Sequence, residues 1–171
     1  NNSSIAAEVG IGAKVFDYKP EFGMLVIEFI PGRTFGGEDV AINAARIAES
    51  VKQLHSARAF KLDFDMFKIQ QRYLDIVTER GFRLPNNYLD FLSVRDELHS
   101  AFERTDSGKV PCNNDLLPAN FIDDGRKIWL IDYEYSGNND PCFELGNIWS
   151  ESGQEISVLK ELIDRKSTRL N

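Results

Sequence analysis

Asp115, Asn120 and Asp132 are the residues of this 171-residue chain whose types and spacing suit chemistry. Asp115 and Asn120 stand five positions apart in Asn113-Asn114-Asp115-Leu116-Leu117-Pro118-Ala119-Asn120, a polar stretch that reads as a loop. Asp132 follows in Ile131-Asp132-Tyr133-Glu134. One carboxylate to orient or deprotonate a hydroxyl, with an amide oxygen and a second carboxylate to hold Mg²⁺, are the parts that phosphoryl transfer needs. The same residues also serve as ordinary turn and cap residues, so their spacing alone is weak evidence.

The elements around them must bring the three together. Phe121-Ile122 and Ile128-Trp129-Leu130-Ile131 read as strands of a hairpin about Asp123-Asp124-Gly125-Arg126. A register centred on Arg126 sets Asn120 opposite Asp132, with Asp115 entering the same mouth. Upstream, Val15-Phe16 and Met24–Ile30 read as two strands joined through Lys19-Pro20-Glu21-Phe22-Gly23. The second has the continuous apolar run of a buried strand, stopped by Pro31-Gly32. Val40, Ala44, Ile47, Ala48, Val51 and Leu54 form a helical stripe, and Met66, Ile69, Tyr73, Ile76 and Val77 a second one ended by Gly81. Asn86 or Asn87 is expected to cap a third helix with Leu92, Leu98 and Phe102 on one face. Asp140-Pro141 opens a helix carrying Leu145, Ile148 and Trp149, and Ile156, Leu159 and Ile163 mark a last one. The pattern is α+β with helices dominant.

Composition narrows the classes. Twelve Phe, five Tyr and two Trp supply ample surface to bury, which excludes global disorder. A net charge of −7 argues against nucleic acid or an anionic membrane as partner. Cys112 and Cys142 make no disulfide framework, and no apolar run is long enough to cross a bilayer, so a cytoplasmic setting is expected. His55 and His99, the two histidines, lie on separate helices and read as structural. The chain starts at Asn1 rather than Met and reads as a fragment, and Arg165–Asn171 reads as a polar tail, natural or artificial.

Asp-x-x-x-x-Asn followed by a strand-borne Asp is the logic of a kinase catalytic loop. Pro111-Cys112-Asn113-Asn114-Asp115-Leu116-Leu117-Pro118-Ala119-Asn120-Phe121, Ile131-Asp132-Tyr133-Glu134-Tyr135 and Phe143-Glu144-Leu145-Gly146-Asn147 together resemble the choline/ethanolamine kinase family. That family lies within the aminoglycoside-phosphotransferase-like kinases, which share the two-lobed protein-kinase-like fold. The resemblance implies residues 1–30 as a remnant of the N-terminal lobe strands with the hinge, and 31–164 as an incomplete, mostly helical C-terminal lobe. It implies Asp115 as catalytic base, Asn120 and Asp132 as Mg²⁺ ligands, and the backbone of Glu28, Phe29 and Ile30 as the hinge that meets the adenine of ATP. Glu151 matches the acidic residue that faces a cationic head group, with Tyr135 and Trp149 as aromatic faces, although Trp149 also falls on an apolar stripe.

The activity implied is transfer of the γ-phosphoryl of ATP to the hydroxyl of a small cationic alcohol, choline or ethanolamine first. An aminoglycoside or thiamine is the alternative acceptor, and a pseudokinase binding module the alternative class. The resemblance also allows a homodimer. Where the family usually has His two residues before the catalytic Asp, this sequence has Asn113, which can likewise donate and accept hydrogen bonds. The family's glycine-rich loop and phosphate-pairing Lys lie upstream of the hinge, so the chain is expected to carry the transfer machinery without the ATP clamp, and to be inactive alone.

Overall fold

The computed structural model describes residues 1–105 and 108–167. Its elements, in chain order, are α1 (Asn2–Glu8), β1 (Val15–Lys19), β2 (Met24–Ile27), β3 (Arg33–Thr34), α2 (Gly37–Ile42), α3 (Ala44–His55), α4 (Met66–Glu79), α5 (Leu92–Thr105), β4 (Val110–Cys112), β5 (Phe121–Asp123), β6 (Ile128–Leu130), β7 (Gly137–Asn139), α6 (Pro141–Ser152) and α7 (Ile156–Ser167). The strands form three small antiparallel sheets, β1-β2, β3-β5-β6 and β4-β7, in a mostly helical α+β chain.

The core is built on the stripe of α3. Ile47, Ala48, Val51 and Leu54 are buried to 1% exposure or less and meet Phe121, Ile128 and Leu130 of the hairpin, Leu145 and Ile148 of α6, and Leu162 of α7. Each such side chain removed from water contributes about 1.5–3 kcal/mol before entropy is counted. About two turns of helix therefore hold the hairpin that carries the candidate site. Ser50, on the same helix, donates through Oγ to the Ile128 carbonyl at 2.7 Å, and Arg46 grips Asp123 with two bonds of 2.6 and 2.7 Å.

Several expectations need correcting. The stripe from Val40 to Leu54 belongs to two helices, because Asn43 leaves helical backbone geometry at φ −109° and ψ 16°, while its side-chain amide donates to the Asp39 carbonyl. The strand expected over Met24–Ile30 ends at Ile27 and is exposed along its length, since a two-stranded ribbon has no third layer to cover it. Helix α1 falls where no helix was expected. Its Ile5 and Ala6 enter the same core as α3. Helix α5 begins at Leu92, after a 3₁₀ turn over Tyr88–Phe91 that Asn87 precedes without a side-chain capping bond, and Leu98 on its expected apolar face is exposed. Helix α7 runs through Arg165 and Lys166 to Ser167, so the expected polar tail is helical that far, and residues 168–171 lie outside the described residues.

The helix expected at Asp140-Pro141 opens there. Asp140 accepts from the Cys142 N–H at 2.7 Å, and Pro141 occupies the first turn. No helix of the described residues is long and apolar enough to cross a membrane.

Candidate active site

Strand β4 delivers the chain into the 113–120 loop, and α6 receives it. Glu144 and Asn147 stand one helical turn apart and face the loop together. The Leu116 N–H donates to Asn147 Oδ1 at 2.7 Å, and the N–H groups of Asn113 and Asn114 both donate to Glu144 Oε1. Asn114 adopts left-handed backbone at φ 67°, which an Asn tolerates better than most residues. Its side chain bridges to the far segment, donating to the Tyr135 and Gly137 carbonyls at 3.1 and 3.3 Å and accepting from Asn139 at 2.8 Å. The result is a loop pinned on both sides.

Asp115 is fixed through its main chain. Its N–H donates to Asn113 Oδ1 at 3.1 Å, and its carbonyl accepts from Asn120 Nδ2 at 2.7 Å. No described residue hydrogen-bonds its carboxylate. Partial burial pushes the Asp115 carboxyl up from its ordinary range, and the negative charges of Asp132 and then Glu151 push it further. These three acids therefore share one electrostatic neighbourhood, although they come from the loop, the end of the hairpin and the end of α6.

The hairpin register differs by one from the expected one. Phe121 pairs with Leu130, Ile122 with Trp129 and Asp123 with Ile128, because four residues, Asp124 to Lys127, form the turn, with Gly125 left-handed at φ 86°. Asn120 thus opposes Ile131, whose N–H donates to the Asn120 carbonyl at 3.0 Å, and Asp132 lies one residue beyond. Asp132 then turns into left-handed backbone at φ 60°, as Asn114 does. These two are the non-glycine residues with positive φ among the described residues, and both border Asp115 or carry a candidate ligand.

The donor set fits a hard divalent cation. The Asp132 carboxylate has no hydrogen-bond partner among the described residues. Asn120 spends its amide N–H on the Asp115 carbonyl, which leaves Oδ1 as its side-chain acceptor. Carboxylates gathered beside an amide oxygen are what Mg²⁺ takes while keeping water and phosphate in its other positions.

The remaining expected residues divide. Glu151 is exposed near the C-terminal end of α6, with its charge felt at Asp115. Tyr135 is 45% exposed, and its hydroxyl pKa is pushed up first by Glu134 and then by Tyr73, with Asp115 and Asp132 contributing. Trp149 is half-buried outside the main core, and its indole N–H donates to the Gln154 carbonyl at 2.7 Å. A cavity of about 880 Å³ lies beside Asp132, walled by Ala13, Leu25, Ile27, Leu130 and Ile131. Its β2 contacts are Leu25 and Ile27, whereas Glu28, Phe29 and Ile30 do not line it. Phe29 is 85% exposed and Ile30 is buried. Sequence reasoning assigned no site role to Asn114, Glu144 or Asn147, which hold the loop. The signal was available in the Phe143-Glu144-Leu145-Gly146-Asn147 segment, where a Glu and an Asn stand at one-turn spacing on an amphipathic helix.

The sequence pattern described as choline/ethanolamine kinase matches residues 1–164. A choline/ethanolamine kinase from Homo sapiens is 29% identical over 162 residues, covering 86% of this chain and 40% of that protein. The crystal structure of a choline/ethanolamine kinase family protein from Mesorhizobium loti superposes with a TM-score of 0.88 at 28% identity, over 97% of this chain and 59% of that one. An aminoglycoside phosphotransferase from Streptomyces rimosus shares the fold, with a TM-score of 0.71 at 18% identity over 99% of this chain and 74% of that one. The chain spans about two fifths of the human relative's length. Over the residues it has, it belongs to the choline/ethanolamine kinase family.

Proposed function

We propose that this chain carries the phosphoryl-transfer centre of a kinase that moves the γ-phosphoryl of ATP to the hydroxyl of choline or ethanolamine. The observation that carries the reading is Asp115, a carboxylate without a hydrogen-bond partner, held by its main chain to Asn120 and placed within the field of Asp132 and Glu151. In this reading Asp115 accepts the proton of the acceptor hydroxyl and aims its oxygen at phosphorus. Asn120 and Asp132 would hold Mg²⁺, which when bound neutralises charge on the transferring phosphates. The apolar walls of the cavity beside Asp132 suit a nucleotide base.

Glu151 supports a cationic acceptor. A quaternary ammonium offers no N–H to a carboxylate, so charge and aromatic faces must hold it, and Tyr135 and Trp149 are the aromatic candidates. The test is ADP release by the natural polypeptide that carries this chain, with ATP, Mg²⁺ and choline, ethanolamine, thiamine or an aminoglycoside in turn. Release is expected with choline or ethanolamine, and it should vanish with chelator or in Asp115→Asn. Turnover confined to the aminoglycoside or thiamine would replace the acceptor assignment.

A further inference from the structure

A second cavity, of about 430 Å³, lies where the first turn of α4, the last turns of α5 and the first turn of α6 come together. It shares no lining residue with the cavity beside Asp132. Helix α6 separates it from the candidate active site. Asp140 borders this cavity, and Glu151 stands eleven residues further on, about 16 Å along the helix axis.

The walls are aromatic. Phe67 of α4 lies against His99 of α5 with ring centres 4.4 Å apart, and meets Phe102 edge-on at 6.0 Å. Phe64 and Phe143 form a separate pair at 5.9 Å. All four phenyl rings are half-buried, and none belongs to the main core around α3. Phenyl faces turned to an open space of this size are apolar surface that a small molecule can take out of water.

The charges at the rim decide the sign of that molecule. Lys68 is spent on Asp65, 2.9 Å away, and Lys109 on Asp63, 2.7 Å away. Two helix N-termini border the cavity, and both are already capped. Asp65 accepts from the Lys68 N–H at 3.0 Å, and Asp140 from the Cys142 N–H at 2.7 Å. An anion would therefore meet filled caps and the carboxylates that fill them. Glu103, by contrast, has no lysine or arginine partner among the described residues, and its nearest basic group is the His99 ring at 3.8 Å. Carboxylates above phenyl faces attract a positive centre carried on an apolar body.

We propose that this cavity binds a small organic cation, an ammonium group on an alkyl or aryl body, at a site separate from the transfer centre. The apolar body fills the space between the phenyl rings, and the cationic head lies at the rim beside Glu103. Because the walls come from α4, α5 and α6, the ligand fastens the first two helices to the third. None of this depends on the kinase reading.

Benzyltrimethylammonium is the probe, added to the natural polypeptide that carries this chain, with ¹³C- and ¹⁵N-labelled spectra as the readout. Signals of Phe67, His99, Phe102 and Phe143 should shift and saturate together. Phenylacetate, a similar ring with the opposite charge, should leave them in place. Glu103→Lys keeps the rings and reverses one charge, and should weaken binding at least about fivefold. Phe67→Ala should weaken it by a similar factor, and if that variant does not fold, Glu103→Lys decides. Shifts confined to Asp115 and Glu151 would overturn the proposal, since the ammonium would then be entering the acceptor site alone. So would silent cavity signals, as when another segment of the natural polypeptide fills the space. Phenylacetate binding as tightly as the ammonium, or an affinity unchanged in Glu103→Lys, would overturn it equally.

Discussion

The side-chain amide of Asn113 donates to the main-chain carbonyl of Asp132 at 2.8 Å and to that of Ile131 at 3.0 Å. Its carbonyl oxygen meanwhile accepts from the Asp115 N–H. One residue thus links the segment bearing the candidate base to the segment bearing a candidate ligand, and does so where the family usually places His. Asn113→Ala removes all three bonds. It should lower kcat about 10–100-fold, the cost of small misplacement at a reacting centre, and, because Asn113 is fully buried, also lower stability by about 1–3 kcal/mol. Asn113→His, which retains a ring N–H, should lie much closer to wild type. Steady-state kinetics of the two variants side by side decide this.

Asp115 bears a strain of electrostatic origin. Burial first, then Asp132 and Glu151, raise its pKa above the ordinary carboxylate value, so the folded state binds the proton more tightly than the unfolded chain does. Stability from this group is then lost as pH rises through that window. Asp115→Asn should abolish turnover by about 10²–10⁴-fold, yet melt at the same temperature or higher at neutral pH in chelator. A marked drop in melting temperature would show that Asp115 holds the fold together instead.

Arg46 and Asp123 give the opposite sign. The Arg46 guanidinium, hydrogen-bonded to both oxygens, is the chief cause holding the Asp123 carboxyl below its usual range. The unfolded chain binds that proton more readily, so this contribution is complete above the unfolded carboxylate pKa and fades as pH falls through the folded one. Arg46→Met should cost about 1 kcal/mol at pH 7 and almost nothing well below pH 3, because the pair is only partly screened from solvent. Urea denaturation across that pH range measures the convergence.

Gly32, between β2 and β3, leaves no room for a side chain. A Cβ there would stand 2.6 Å from Ile122 Cγ2 and 2.7 Å from the Asp123 carbonyl oxygen, and a main-chain atom cannot swing aside. Gly32→Ala is therefore expected to destabilise by about 1–3 kcal/mol and to disturb the hairpin. A denaturation midpoint unchanged from wild type would contradict the close approach.

Much of this molecule was readable before its coordinates. Ile47, Val51 and Leu54 announce a buried helical face by periodicity, Asp140-Pro141 announces a helix start by cap chemistry, and the 113–120 loop stands out by the family pattern it resembles rather than by spacing alone. What failed to show was set by tertiary context. Met24–Ile27 is apolar enough for an interior strand, but burial depends on what lies against it. The hairpin register turned on whether Lys127 belongs to the turn, a one-residue question that composition does not answer. Strands β4 and β7 are three residues each, too short for an alternation to be seen. Glu144 looked like a polar residue on an amphipathic helix, and its value lies wholly in N–H groups some thirty positions away.

Asn138 reaches three points of the chain that follows α3, through Phe60, Leu62 and Asp63, and Asp63 in turn holds Lys109 at 2.7 Å. The excursion bearing α4 and α5 therefore departs and returns through a single narrow neck beside β7. Of its helical residues only Leu74 is buried. An appendage anchored at its base and barely rooted elsewhere can be lengthened, trimmed or exchanged without moving Asp115 or Asp132.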